Sequence, residues 1–403
     1  MTVAITGGYV VPVAGEPIEG GTVLIEDGKI VAVGTAEDVD VPDEAEIVDA
    51  SGTWVLPGFV EAHGHAGVGE EGIGWAGRDY NEMTDPNGAR LRAIDGINPD
   101  DQGFRDALAG GVTTMVVKPG SGNPIGGQTA AVKMWGRTVE DILVQAPVSM
   151  KSALGENPKR VYGDQNKTPS TRLGVAAVIR DALMKTQDYV KRRDEAASED
   201  KPFDRDGTLE SLAKVLSGEI PWCQHTHRAD DIATALRLAD EFGYRLVINH
   251  GTEGHLLADT LAERGIPVII GPLFTSRSKV EVNRRSLRNP GILARAGVQI
   301  AITTDHPVVP IDFLVHQATL SVKEGLDTET ALRSITINPA QILGLDHRVG
   351  ALKPGLDADV VLWSGDPLDV MSRAVKVFIE GNEVYHFDDA TGEGVTKSPW
   401  YSE

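Results

Sequence analysis

Between residues 55 and 348, short apolar runs alternate with helix-like stretches, and that alternation leaves the chain few folds to choose from. Candidate strands read GFVEAH (58–63), VTTMVVK (112–118), TAAVKMW (129–135) and PVSMKSA (147–153). They continue with IPWCQHTH (220–227), RLVINHG (245–251), IPVIIGP (266–272) and VQIAITTD (298–305). Helical patterns such as DDIATALRLADEFG and HLLADTLAERG separate the later strands. Eight such strands predict a parallel α/β fold of the (β/α)8 TIM-barrel type, with its chemistry at the C-terminal strand ends.

The two ends of the chain have a different texture. GTVLIEDGKIVAVG carries two alternating arms around Asp27-Gly28, a strong hairpin signal. DADVVLWSG and AVKVFIEGNEVYHF repeat that texture, with a turn expected at Gly381-Asn382. Residues 1–54 and 350–403 are therefore expected to form one small composite β-sandwich domain, and residues 55–349 the barrel. Residues 154–219 exceed an ordinary crossover and read as an insertion of helix and exposed loop, with a lid over the site as one alternative.

Composition narrows the partners. The net charge of −21 disfavours nucleic acid and anionic membranes. No run approaches the roughly 20 apolar residues of a membrane span, and the N-terminus lacks the basic start of a signal peptide. A single cysteine, Cys223, fits a reducing cytoplasm, and next to the strand-end histidines it reads as a small buried residue. A homo-oligomer is compatible with this sequence.

Metal-competent side chains gather at the predicted strand ends. His63 and His65, one residue apart on a strand, point to the same side of it, and Gly64 between them adds no bulk. Such a pair supplies two nitrogen ligands of the kind zinc favours, whereas an isolated HxH is equally a chance pairing. The fifth strand ends in His225 and His227, the sixth in His250 and the eighth in Asp305. Agreement among four strands favours a metal centre over separate core histidines.

PGFVEAHGH, QHTHRADDI, VINHGTEGH, ITTDHP and TINPAQILGLDHRVGALKPGLDADVVLW, in this order, resemble the amidohydrolase superfamily, in particular its imidazolonepropionase-like branch. The resemblance spans nearly the whole chain and implies roles by position. His63, His65 and Asp305 would hold a more buried divalent metal, with Zn2+ the expected ion, and His225 and His250 a second one. Lys151, as an anionic carbamate, would bridge the two. Glu156 is an alternative bridge and Lys133 a weaker one, and one or two ions per chain remain open. His227 would contact substrate.

The chemistry implied is hydrolysis of a C–N bond by metal-activated hydroxide, with catalysis resting on Asp305 and His250. Asp305 would orient the water, take its proton and pass it to the leaving nitrogen. The expected substrate is a small amide, such as an N-acyl amino acid or a dipeptide. Cyclic amide hydrolysis or deamination of a nitrogen heterocycle is the alternative, and a catalytically silent scaffold relative a remote one. Arg228 stands where superfamily deaminases and imidazolonepropionase typically carry a glutamate, three residues after His225, which favours amide cleavage.

Arg277 and Lys279 follow the seventh strand, and Arg277 is the expected partner of a substrate carboxylate, with a surface charge as the alternative. RDYNEMTDP (78–86) and GSGNPIGGQTA (120–130) suit polar contacts near a ligand, and the second lacks the pattern of a phosphate loop.

Overall fold

A computed structural model describes residues 1–400 of the chain. The first strands are β1 (Thr2–Val10), β2 (Ile18–Glu26), β3 (Lys29–Gly34), β4 (Glu46–Asp49) and β5 (Trp54–Pro57). Asp27 and Gly28 both take positive φ, 46° and 78°, which makes the β2–β3 hairpin turn the type expected from the sequence.

The central region begins with β6 (Phe59–Gly64) and β7 (Val112–Val117), paired in parallel. Next come β8 (Ile125–Gln128), β9 (Ala130–Lys133) and β10 (Leu143–Gln145). The third expected strand departs from the parallel pattern, because β9 runs antiparallel to β7. The physical reason is the connection. A parallel return needs a crossover of about a dozen residues or more, usually helical, and the Gly-rich GSGNPIGG segment forms none.

Five strands then follow in order: β11 (Met150–Ala153), β12 (Trp222–Thr226), β13 (Leu246–His250), β14 (Val268–Ile270) and β15 (Ile300–Ile302). All pair in parallel with their sequence neighbours. Their burial on both faces suits a parallel sheet covered by helices. Backbone bonds connect the two central sheets on both sides. The Thr129 N–H donates to the Ser149 carbonyl and the Val148 N–H to the Thr129 carbonyl, just before β9 and β11, and the His65 N–H donates to the His306 carbonyl at 2.9 Å between the ends of β6 and β15.

The last strands are β16 (Val360–Trp363), β17 (Ala374–Ile379), β18 (Asn382–Asp388) and β19 (Glu393–Thr396). They join β1–β5 in one nine-stranded sheet, with β16 pairing β5, so both ends of the chain meet. The β17–β18 turn falls on Glu380-Gly381, one residue earlier than expected, and both residues have positive φ. Residues 154–219 fold as helices at Glu156–Gly163, Arg172–Ser198 and Gly207–Leu216. The polar run 194–207 only ends the second and leads to the third.

Candidate metal centre and its pocket

Strand register brings the histidines together. Pairing of β11 with β12 sets Ala153 beside His225, and pairing of β12 with β13 sets Thr226 beside His250. His63 closes in from β6, and Asp305 lies just beyond β15. His250 and Asp305 both hold positive φ, 74° and 55°, a conformation L side chains seldom adopt and one that concentrates at functional sites.

The distances are those of ligand atoms around common points. The His63 Nε2 atom lies 2.9 Å from Asp305 Oδ1, and His65 Nε2 lies 3.2 Å from the same oxygen. Two donors each about 2.1 Å from one ion stand roughly 3 Å apart, as here. The ligand atoms of His63, His250 and Asp305 all lie within 4.8 Å of one another, and so do those of His225, His227 and His250. His250 belongs to both groups. Lys151 Nζ approaches His63 Nε2 at 3.3 Å.

Hydrogen bonds outside the cluster fix which nitrogen faces inward. His65 Nδ1 donates to the Lys118 carbonyl and His250 Nδ1 to the Gly271 carbonyl, both at 2.7 Å. A carbonyl only accepts, so the Nε2 lone pair of each ring is left for a ligand. His227 Nδ1 meets Thr252 Oγ at 2.8 Å. His63 and His225 each have a buried Nδ1 with no partner.

Electrostatics suits the same reading. Burial holds His63, His225 and His227 well below the usual imidazole range, reinforced by Lys151 at His63, by His250 at His225 and by Lys279 at His227. Burial pulls His250 to about 4, against the pull of Asp305. The rings are therefore neutral near pH 7, the form that binds metal. Burial pushes the Asp305 carboxyl up, but His250, His63 and His65 outweigh it and hold it well below the carboxylate range. Burial also brings Lys151 down to about 7, with Asp305 opposing and Lys118 assisting. Neutral imidazoles, an ionised carboxylate and unpartnered buried nitrogens form a donor set that fits a divalent metal.

The centre opens into a cavity of about 280 Å³ lined by His65, His225, His227 and Asp305. Tyr80, Asn81, Gly120 and Ser121 also line it, so both polar loops, after β6 and after β7, reach the site. Tyr80 stacks on the His65 ring, with centroids 5.4 Å apart.

His63, His65, Lys151, His225, His227, His250 and Asp305 are thus brought together, and three other candidates are not. Arg277 is exposed, and its Nε donates to the Asn283 carbonyl at 3.3 Å, because its loop carries it outward. Glu156 starts a helix and does not line the cavity; the neighbouring Asn157 does, with Nδ2 3.5 Å from His225 Nε2. Lys133 lies at the opposite end of the strands. The antiparallel register sets it beside Thr114, and it pairs with Asp357 at 2.8 Å and Asp359 at 2.6 Å. Arg228 turns to Asp230, both of its bonds being 2.8 Å.

Other residues of the site escape the sequence reading. Glu61 is fully buried, two residues before His63 and on the same strand face. Lys118, at the end of β7, is buried with Nζ 3.4 Å from Asn249 Oδ1. Both follow the strand-end rule that found the histidines. Asn157 and Arg285 carry no comparable signal, since each lies on an irregular segment or helix start.

A profile of the Amidohydrolase family matches residues 204–387. The crystal structure of an amidohydrolase from Thermotoga maritima is 45% identical, covers 95% of this chain and all of its own, and superposes with a TM-score of 0.92. An amidohydrolase of Hapsidospora irregularis is 31% identical over 92% of this chain, which spans 40% of that protein. An imidazolonepropionase of Geobacillus kaustophilus is 27% identical, with 86% of this chain and 84% of its own length aligned. The chain spans about half the length of several curated relatives that it matches.

Proposed function

This chain belongs to the amidohydrolase family, and from that premise we propose that it is a metal-dependent hydrolase cleaving a C–N amide bond of a small substrate. An N-acyl amino acid or a dipeptide is the class we favour. The observation that carries this reading is the meeting of neutral His63, His225 and His250 with His65 and ionised Asp305 at the head of one cavity, which His65, His225 and Asp305 line. We read the two linked central sheets as the barrel, at 55–349, and the terminal sheet, from 1–54 and 350–403, as its β-sandwich companion. A cytoplasmic location accords with the lone, buried Cys223.

His63, His65 and Asp305 would hold one divalent ion, with Zn2+ our expected metal, and His225 and His250 a second. Such an ion, when bound, supplies Lewis acidity and brings a water's pKa towards neutrality. The remaining work falls to side chains. Asp305, ionised and next to two histidines, is placed to accept the proton of the attacking water and return it to the departing nitrogen. If Thr252 donates to His227 Nδ1, the Nε2–H of His227 is left to donate to the oxyanion. Lys151, with its pKa near 7, has a substantial free-amine fraction, the form that adds carbon dioxide to give a bridging carbamate.

The second reading, hydrolysis of a cyclic amide, is favoured by the likeness to an imidazolonepropionase. Deamination of a heterocycle is disfavoured by Arg228, whose guanidinium is held by Asp230. A panel of N-acyl amino acids, dipeptides, cyclic amides and aminated heterocycles, assayed with zinc-loaded protein, separates these. Turnover confined to open-chain amides supports the main reading, and ammonia release from heterocycles overturns it.

A further inference from the structure

Two cations line the cavity, Lys279 and Arg285, and they differ in what they face. The Lys279 side chain is 18% exposed; its Nζ donates to Asn157 Oδ1 at 3.1 Å and lies 3.6 Å from Glu281. Asn157 in turn meets His225, so Lys279 is one side chain removed from the metal centre. Glu281 offsets part of its charge, although Glu281 also pairs with Arg172 at 3.0 Å. The neighbouring Arg284 turns towards Glu253.

Arg285 has no such offset. Among the described residues, no carboxylate lies within ion-pair distance of its guanidinium, and its Nε is shut off from solvent with no hydrogen-bond partner. A partly buried guanidinium with an idle donor is costly unless something accepts from it. Among the described residues, the only acidic group lining the cavity is Asp305, which is committed to His63 and His65. An anionic group on a ligand in the cavity would supply the countercharge that Arg285 lacks. A planar guanidinium matches a carboxylate through two parallel hydrogen bonds, and an adjacent ammonium adds a third donor.

We propose that Arg285 and Lys279 form the subsite for a substrate carboxylate, so that the scissile amide belongs to a free acid. This rests on the hydrolase reading above. A cavity of about 280 Å³ suits an acid of amino-acid or dipeptide size. Arg285, not the exposed Arg277, is the specificity-determining arginine.

The test compares N-acetyl amino acids and dipeptides with their C-terminal carboxamides, by kcat/KM and by calorimetric titration. The wild-type protein is expected to prefer the acids roughly 10- to 100-fold. Arg285→Ala is expected to bring that preference close to parity, Arg285→Lys to keep part of it, and Arg277→Ala to keep all of it. Equal handling of acids and carboxamides by the wild type, or an unchanged preference in Arg285→Ala, overturns the subsite while leaving amide hydrolysis standing. Acids that bind through Arg285 without any amide being cleaved leave the subsite standing and overturn the hydrolase reading. Neither binding nor cleavage overturns both.

Discussion

Glu61 Oε2 accepts from both the backbone N–H and the hydroxyl of Thr304, at 2.8 and 2.7 Å. Its other oxygen accepts from the His63 N–H at 2.9 Å and from the Thr303 hydroxyl. One buried carboxylate thus ties the end of β6, which carries His63, to the residues that carry Asp305. Glu61→Gln puts an amide donor among four donors and loosens that tie. Affinity for zinc is expected to fall roughly 10- to 100-fold, the scale of outer-shell changes at metal sites. Competition titration with a chromophoric chelator checks this, and wild-type affinity in the variant would exclude a positioning role for Glu61.

Lys133 is expected to matter for stability and not for metal. Its side chain is 3% exposed and its ammonium joins Asp357 and Asp359; Asp357 in turn reaches Lys29 and Arg348 at 2.6 and 2.8 Å. Lys133→Ala leaves buried carboxylates short of a partner and should cost about 3 kcal/mol. Denaturant midpoints should drop while metal content per folded chain stays at the wild-type value. A loss of metal with no loss of stability would return Lys133 to the site.

The same network sets an acid limit. Burial pushes the Asp357 carboxyl up, but Lys133, Lys29 and Arg348 outweigh it and hold it at about 2. A carboxyl depressed on folding contributes stability above its unfolded pKa of about 3.9 and loses it as pH falls through the folded value. The contribution is roughly 2 to 3 kcal/mol at neutral pH. Asp357→Asn should therefore be less stable than wild type at pH 6, with the gap closing between about pH 4 and pH 2. A gap that is constant across that window would assign the effect to packing.

What the sequence shows of this site follows from strand geometry. His63, His65, His225, His250 and Asp305 lie at or just beyond apolar strands, and a period of two says which way they face. Glu61 and Lys118 obey the same rule but draw no attention, since a single carboxylate or lysine in a strand has many ordinary explanations. Strand direction is a different matter. Alternation in TAAVKMW is the same read forwards or backwards, so only the missing helix before it marks β9 as antiparallel and sends Lys133 to the far end. Arg277 and Arg285 lie on a loop with no periodicity, and which of them turns inward is decided by tertiary contacts alone.

Lys151→Ala should remove the proposed carbamate bridge and reduce the proposed amide turnover by about 100-fold or more, the scale of losing a group that orients the catalytic centre. A short carboxylic acid such as formate or propionate, added at millimolar concentration, should restore part of the activity. Intact-protein mass under native conditions should show a carboxyl adduct on wild-type protein and none on the variant. Full activity in Lys151→Ala would remove the carbamate from the account.

The metal centre itself is tested most directly by elemental analysis of purified protein loaded with zinc and then dialysed exhaustively. One or two equivalents of zinc per chain are expected, falling in a His63→Ala, Asp305→Ala double variant that keeps the wild-type circular dichroism. A folded wild-type chain that retains no stoichiometric metal after loading would contradict the site as described.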